Sequence, residues 1–532
     1  IETLIKLLDE AEVESVAIST LFSFLNPVHE DMILNSLAKL PNPPFASISS
    51  QILPEFREYE RTSTVVVNSY VGPIISEYLG RLEASLSKNL RIMQSSGGSI
   101  TTTLACEQPV KTILSGPAGG VVGAFHTAMQ AGFPDIITLD MGGTSTDVSL
   151  CPGLIKQTTS ANVGGYPIGV PMIEIHTVGA GGGSIARVDS GGALVVGPES
   201  AGADPGPACY GRGTQITVSD ANLVLGRLQA DHFLGGQIKL DLQRSVELLD
   251  HIATEIGTTR DNAALGIIRV VNSNMERAIR SISLERGHDP RQFTLIPFGG
   301  AGPMHACELA EDLGIPRILI PEHPGVLSAL GVAIADVIKD YSRTVMLRGQ
   351  DINHPRLEEE FHGMENQAKE QFSREGFNPS QIITHRLVDT RYLGQSFELT
   401  VNYPQRPTRG NLTSSISASF YKAHMQRFGY ADKSQPIEIV NLRVQAEIAV
   451  EKPKLIEKPF TDSDPSKAVA GFSQVTFSTG PQSAIMYYRS LLEPGNYIEG
   501  PAILIQMDST IVLSQGWSGI IDGFGNLIAT SS

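Results

Sequence analysis

Helix-period and strand-period stretches alternate from the first residue onward. The spacing predicts a helix over 2–12, a strand at Val16-Ala17-Ile18, a helix over 28–39 and a strand over Phe45–Ser50. That alternation reads as an α/β unit. At 60 residues it is too small to bury a core by itself. Residues 61–90 carry one long amphipathic helix pattern, and Leu90–Gln94 a short strand running into the turn Ser95-Ser96-Gly97-Gly98. From 111 to 340 the predicted order is helix (118–131), hairpin (136–158), a glycine-rich segment (163–213), helix (219–227), two long helices (242–256 and 261–286), strand (Phe293–Phe298), helix (304–313), strand (Arg317–Ile320) and helix (324–336). Ile267, Val270, Val271, Asn274, Ala278 and Ile282 fall on one helical face, which marks 261–286 as core-packing, with Gly287 as its stop. The pattern changes near 341. A charged helix is predicted over 356–375, a strand pair over 384–402, a helix over Thr413–Phe428 and mostly β structure over 435–532, with a polar surface loop at 453–466.

Length and composition narrow the class. A chain of 532 residues implies roughly three domains. Apolar residues make up 41% and charged residues 18%, as in ordinary globular proteins. Forty basic against 56 acidic side chains give a net charge of −16, which excludes the basic face that nucleic-acid binding needs. The four cysteines, Cys106, Cys151, Cys209 and Cys307, are far apart and form no CxxC pair, so neither a disulfide framework nor a structural zinc site is expected. No apolar run reaches membrane-spanning length, and the N-terminal helix is amphipathic rather than a signal peptide. A cytoplasmic location is expected. The chain starts without Met inside a helical pattern, and a fragment of a longer protein is expected.

The stretch Ile136–Leu150 carries the densest chemistry. It reads strand, glycine turn, strand, with Asp140 before the turn and Asp147 after it. Gly142 and Gly143 leave the backbone bare and allow positive φ. Their N–H groups, with the Thr144 and Ser145 hydroxyls, suit a phosphate. Two aspartates would repel that phosphate unless a cation lay between them, and Mg²⁺ commonly fills that role. From the loop alone, an ordinary tight hairpin with solvated aspartates is an equal reading.

Four further glycine-centred features surround it. Ser115–Ala124 reads as a helix start in which Gly119, Gly120 and Gly123 permit close approach to another backbone, with Ser115 near the cap and Pro117 near the first helical position. Val178–Ala186 resembles a dinucleotide fingerprint and fails it, because the last glycine is replaced by Ser184; a turn that exposes backbone to phosphate or substrate remains open. Gly299, Gly300 and Gly302 lie between a strand and a helix, where they can admit a flat ring or a phosphate. Pro324–Gly331 is again suited to a close helix contact. No G-x-x-x-x-G-K-[ST] is present, which excludes a P-loop ATPase.

This order resembles the actin, sugar-kinase and heat-shock ATPase superfamily. A closer resemblance is to the hydantoinase A, 5-oxoprolinase and acetone carboxylase family. It rests on Leu53–Arg61, Ser115–Gly120, Asp140–Asp147, Ile175–Ser184, Ala203–Gly211, Glu285–Pro290, Gly299–His305, Tyr392–Ser396 and Gly500–Leu504. The resemblance implies an α/β fold: an actin-like (ribonuclease H-like) ATPase core with a C-terminal α+β, β-rich region. It implies a remnant of an N-terminal α/β domain at 1–60, the core at 61–340 and the C-terminal domain at 341–532. Two acid-glycine hairpins clamp Mg·ATP in that superfamily. Residues 140–147 correspond to the second, and no first is found in 1–110.

The activity implied by the same resemblance is ATP-dependent hydrolysis of a cyclic amide, with the carbonyl activated by phosphorylation. Asp140 and Asp147 are the expected catalytic acids and Mg²⁺ ligands. Gly142, Gly143, Thr144 and Ser145 are expected on phosphate, and Gly299, Gly300 and Gly302 around the nucleoside. A hydantoinase B-type subunit is the implied partner, in a hetero-oligomer. The alternatives are an ATP-dependent ketone carboxylase subunit and a non-catalytic, nucleotide-gated scaffold. His176 is a candidate proton donor, although capping a helix or bonding a carbonyl is the commoner role for such a residue. His305, in a first helical turn, is expected to be neutral. Cys209 reads as structural. Arg277, Arg280 and Arg286 read as a solvated or inter-subunit face, and the charged Leu53–Arg61 is open to reading as an interface strap, which the sequence does not decide.

Overall fold

The computed structural model describes residues 1–86, 90–404, 412–453 and 456–531. Parts of the helix predicted to 90 and of the loop predicted over 453–466 lie outside the described residues. The chain forms two compact units, each built from discontinuous segments. The first holds 1–118, 157–173 and 334–451; the second holds 119–156, 174–333 and 452–532. The region from 341 onward is thus shared between them.

In the first unit, short parallel strands Ser15–Ile18 and Phe45–Ile48 pair under the long helix Glu58–Ser85. The Phe45 ring lies where Gly72 of that helix would carry a Cβ, so glycine is needed there. A six-stranded sheet runs in the order Leu399–Asn402, Ile383–Tyr392, Ile437–Ile448, Val337–Arg348, Ser99–Thr101, Arg91–Met93. One of its faces is apolar. Leu442 and Val444 pack there with Leu357 and Phe361 of the helix His354–Arg374 and with Phe420 of the helix Leu412–Phe428. Side chains alternate along a strand. Asn441, Arg443 and Gln445 therefore stand on the opposite face, which Glu55 also reaches. The twelve-residue strand Val337–Arg348 is absent from the sequence-based expectation.

The Leu53–Arg61 segment is anchored in the core by Leu53, Glu55 and Arg61, while Tyr59 is exposed. Arg61 is fully buried and donates to the Glu55 carbonyl at 2.7 Å and the Thr20 carbonyl at 3.1 Å. Arg443 bridges Glu55 at 2.8 Å and Asp389 at 2.7 Å. Burial pushes the Glu55 carboxyl up, against the pull of Arg443.

The second unit is built on an eight-stranded sheet. Its order is Ile175–Val178, Thr146–Pro152, Asp135–Met141, Thr294–Phe298, Arg317–Ile320, Leu527–Ser531, Trp517–Ile521, Tyr497–Glu499. The last three come from the C-terminal segment, so that segment completes the sheet rather than standing apart from it. Helices Val218–Val224, Leu242–Glu255, Arg260–Ile282 and Gly302–Leu313 fill the core with Leu249, Ile267, Val271, Met275, Leu309 and their neighbours. The helix predicted over 261–286 ends at Ile282, and Leu284–Arg286 turns as a separate 3-10 segment before Gly287 at φ +78°. No described helix is long and apolar enough to cross a membrane.

Candidate functional site

Asp140 is the penultimate residue of the strand Asp135–Met141, and Asp147 the second of Thr146–Pro152. The two are direct cross-strand partners, so their carboxylates lie on one face. Gly142–Ser145 closes the hairpin, with the Gly142 N–H donating to the Ser145 carbonyl at 3.1 Å. Neither Gly142 nor Gly143 takes a positive φ, contrary to the expectation for such a turn. What they provide is bareness: a Cβ on either would meet nothing within 4 Å.

The segment 179–183 backs this turn. The Gly182 N–H donates to the Gly142 carbonyl at 2.9 Å, and the Gly183 N–H to the Gly143 carbonyl at 2.6 Å. A trans peptide points its N–H opposite to its C=O. Tying the two carbonyls to the glycine segment therefore turns the Gly143 and Thr144 N–H groups the other way, where neither has a partner among the described residues. A Cβ on Gly181 would fall 2.7 Å from Gly143 and Thr144 backbone atoms. The glycines of 181–183 are thus occupied by the hairpin itself and are not open to a ligand.

Two hydroxyls hold the acids. Thr177, opposite Asp147 on the next strand, donates to Asp147 Oδ1. The Ser328 hydroxyl lies beside Asp140 and holds its pKa down against burial. Ser328 arrives on the helix Leu327–Ala333, which crosses the helix Ser115–Gln130 at bare backbone on both sides. A Cβ on Gly123 would lie 2.4 Å from the Leu327 carbonyl, and one on Gly331 would lie 1.8 Å from the Gly119 carbonyl. The close contact expected of both glycine segments is a contact with each other. Pro117 falls at the third helical position rather than the first.

Burial, and then the charge of Asp147, push Asp140 up to about 7, with Ser328 opposing. Burial also raises Asp147, against the Thr177 hydrogen bond. No Lys, Arg or His forms an ion pair with either acid among the described residues. No described cluster joins three or more His, Cys, Asp or Glu side chains into a metal site. Two facing carboxylates without a counter-cation, beside free N–H groups, fit a cation whose other ligands are phosphate oxygens and water.

The remaining expected residues divide. Gly299, at φ +77°, lies under the acid: its Cβ would stand 2.6 Å from Asp140 Oδ1 and 2.5 Å from the Met141 carbonyl. Gly302 is packed on the Leu139 carbonyl in the same manner, at 3.2 Å. Both serve close packing on the acid-bearing strand, while Gly300 is exposed, with only the Asp508 carbonyl, at 3.8 Å, near its Cβ position. His176 is not brought to the acids. It neighbours Thr177 in sequence, so its exposed side chain projects from the opposite face of the sheet.

His305 is fully buried, with Nδ1 2.8 Å from Asn272 Oδ1, and burial lowers its pKa to about 4. It is neutral, as expected of its place in the helix. Cys209 is buried, its backbone N–H bonded to Asp220 and its thiol pushed far up by burial. Arg280 pairs with Glu276 at 2.7 Å, and Arg286 pairs with Glu174. Sequence reasoning missed Thr177, Ser328 and Asp508, whose Oδ2 accepts from the Gly325 N–H at 2.9 Å. Thr177 is brought in by sheet register, Ser328 by helix crossing and Asp508 by the loop between strands Ala502–Ile505 and Thr510–Leu513, none of which a local motif announces.

The site is thus an acid-glycine hairpin in an α/β unit, braced by crossed helices. Residues 61–341 match the family Hydantoinase/oxoprolinase, and residues 350–528 match the Hydantoinase/oxoprolinase C-terminal domain. The chain belongs to the hydantoinase/oxoprolinase family. It is 36% identical over 536 residues to caprolactamase subunit alpha of Pseudomonas jessenii, covering 96% of this chain and 76% of that one. The crystal structure of the ATP-dependent caprolactamase from that organism superposes with a TM-score of 0.90 at 34% identity, over 100% of this chain and 79% of the other. Identity to 5-oxoprolinase 1 of Arabidopsis thaliana is 32%, over 99% of this chain and 43% of the relative. The nucleotide-free structure of acetone carboxylase matches with a TM-score of 0.79 at 26% identity, over 100% of this chain and 78% of that one.

Proposed function

We propose that this chain is the nucleotide-handling subunit of an ATP-dependent cyclic amide hydrolase, with an actin-like ATPase core. The observation that carries the reading is the hairpin: two acids face each other beside two unpaired N–H groups. Family membership supports it, because the caprolactamase and 5-oxoprolinase relatives act on cyclic amides. Asp140 and Asp147 would hold Mg²⁺. Gly142, Gly143, Thr144 and Ser145 would receive the phosphates through backbone N–H and hydroxyl donors. Gly300, the exposed member of its glycine segment, would border the nucleoside. Bound Mg²⁺ would offset the charge on the transferring phosphoryl group.

The substrate dictates the chemistry. Amide resonance makes the carbonyl a poor electrophile. Transfer of the γ-phosphoryl group to the carbonyl oxygen turns that oxygen into a leaving group. Water then adds to that carbon, the ring C–N bond breaks with the amine as leaving group to give an acyl phosphate, and a second water attacks the acyl carbon and releases phosphate that keeps the original carbonyl oxygen. The residues of this chain orient the phosphates and stabilise developing negative charge. We assign the partner as a hydantoinase B-type subunit; the relative's own designation as subunit alpha supports a hetero-oligomer. Four free cysteines fit the cytoplasm.

A panel of cyclic amides assayed for ADP release by the complete complex tests the reading. Asp140→Asn should abolish amide-stimulated release. Retained stimulation contradicts it. The similarity to acetone carboxylase favours a second reading, in which a phosphorylated carbonyl compound is carboxylated. Labelled bicarbonate entering product would select that one.

A further inference from the structure

The backbone of Gly299 walls the Asp140 carboxylate, whose Oδ1 lies 2.6 Å from where a Cβ on Gly299 would stand. Its φ of +77° is open to glycine, and glycine has the freest backbone of any residue, so the wall needs outside support. Both of its polar groups are tied. Its N–H donates to the Pro324 carbonyl at 3.0 Å, and its carbonyl accepts from the Ser509 hydroxyl at 3.4 Å. Pro324 is held in turn through its neighbour, because the Gly325 N–H donates to Asp508 Oδ2 at 2.9 Å. A Cβ on Gly325 would lie 2.5 Å from the Asp508 carbonyl oxygen, so the two backbones touch. The Gln506 amide also donates to the Glu322 carbonyl, at 2.7 Å.

These three side chains share one loop. Gln506–Ser509 joins strands Ala502–Ile505 and Thr510–Leu513, whose last rung pairs Ile505 with Thr510. Ile503, Leu504, Ile511 and Val512 are buried in the same core as Leu309 of the helix Gly302–Leu313, which follows directly on the Gly299 segment. A close-packed interior yields little, so the loop is fixed at its base. Its tip grips two segments distant in sequence, and a carboxylate accepting a backbone N–H grips more strongly than a neutral acceptor. The tip also borders the opening: the Asp508 carbonyl is the one atom within 4 Å of the Cβ position of exposed Gly300.

We propose that Asp508 and Ser509 are positioning residues for Asp140. They clasp Gly299 against the acid, Ser509 directly and Asp508 through Gly325 and Pro324, and so fix the place from which the carboxylate works. Both roles rest on the proposed hydrolase, in which Asp140 is the site acid. A misplacement of about 1 Å in such a site can cost on the order of a hundredfold in rate.

ADP release by the complete complex turning over a cyclic amide, measured below the unfolding temperature of every variant, tests the clasp. Asp508→Ala should lower kcat about tenfold while the KM for the amide stays unchanged. Ser509→Ala should lower kcat roughly threefold, and the double variant should lose less than the product of the two, because both losses pass through Gly299. Asp508→Asn keeps an oxygen for the Gly325 N–H and should restore most of the rate. Without nucleotide, amide hydrogen exchange across 299–302 and 324–328 should quicken in Asp508→Ala and not in Asp508→Asn. If Asp508→Ala fails to fold, Ser509→Ala carries both measurements. Folded Asp508→Ala and Ser509→Ala with the unmodified rate overturn the proposal, and so does an Asp508→Asn as slow as Asp508→Ala. An unmodified complex without amide-dependent ADP release, or one indifferent to Asp140→Asn, refutes the hydrolase itself and the two roles with it.

Discussion

Asp140 carries a conflict between stability and chemistry. Its folded pKa of about 7 lies above the unfolded value of about 3.9. Between those values the folded state holds the extra proton. The stabilising contribution is therefore complete below about pH 4 and is lost as pH rises through about 7. The penalty at pH 8 is at most about 4 kcal/mol. Asp140→Asn stays neutral, so its thermal midpoint at pH 8 should lie above that of the unmodified protein, while amide-stimulated ADP release disappears. A lower midpoint at pH 8 would contradict the assigned burial. Thr177→Val, which removes the hydroxyl from Asp147, should lower ATP turnover about tenfold and raise the Mg²⁺ concentration needed for half-maximal rate. Unchanged Mg²⁺ dependence would remove Thr177 from the site. Asp140 and Asp147 were legible in sequence because they flank a glycine turn in β-branched arms. Thr177 and Ser328 were not, because they reach the acids only through strand register and helix crossing. Gly299 was legible as a special position but not for its reason, which is the Asp140 carboxylate lying in its Cβ space.

At the scale of elements, the crossing of helices Ser115–Gln130 and Leu327–Ala333 sets where Ser328 meets Asp140. Gly331→Ala would place a methyl 1.8 Å from the Gly119 carbonyl. The helices must separate, at a cost of roughly 1–3 kcal/mol. Thermal unfolding should report that loss, with ATP turnover falling beside it; an unaffected midpoint would mean that the crossing is looser than described. The helix Gly302–Leu313 contains a second device. Arg227 pairs with Glu308 at 2.6 Å, the Asn272 amide donates to Glu308 at 2.9 Å, and His305 bonds Asn272. The folded pKa of His305, about 4, lies below the unfolded value of about 6.5. In that window the unfolded chain binds more protons, so stability falls as pH drops from about 6.5 to about 4. His305→Gln should flatten this part of the pH–stability curve. Helices and the hairpin were readable from periodicity to within a few residues. The strand Val337–Arg348 was not. Asp340, Ser342 and Thr344 stand opposite Gln445, Arg443 and Asn441 on a sheet face that is polar and covered, so polar positions there do not mark solvent.

At the scale of the molecule, sequence order and compact units part company. The C-terminal strand Leu527–Ser531 pairs with Arg317–Ile320 and completes the sheet that carries the acids, while 334–451 belongs to the other unit. Periodicity reads neighbours along the chain and cannot report such long-range pairing. The family was nonetheless legible, because its motifs are short local runs. A subunit of this kind should release ADP slowly by itself, and the release should become amide-dependent when the B-type partner is added. Amide-dependent release without any partner would contradict the two-subunit assignment.

The central claim is that ATP phosphorylates the carbonyl oxygen of the cyclic amide. The most direct measurement is mass spectrometry of the phosphate released when the complete complex turns over a cyclic amide labelled with ¹⁸O at the carbonyl. The account predicts ¹⁸O in the released phosphate, with no labelled phosphate from the Asp140→Asn complex. Ring opening coupled to ADP release with unlabelled phosphate would contradict it.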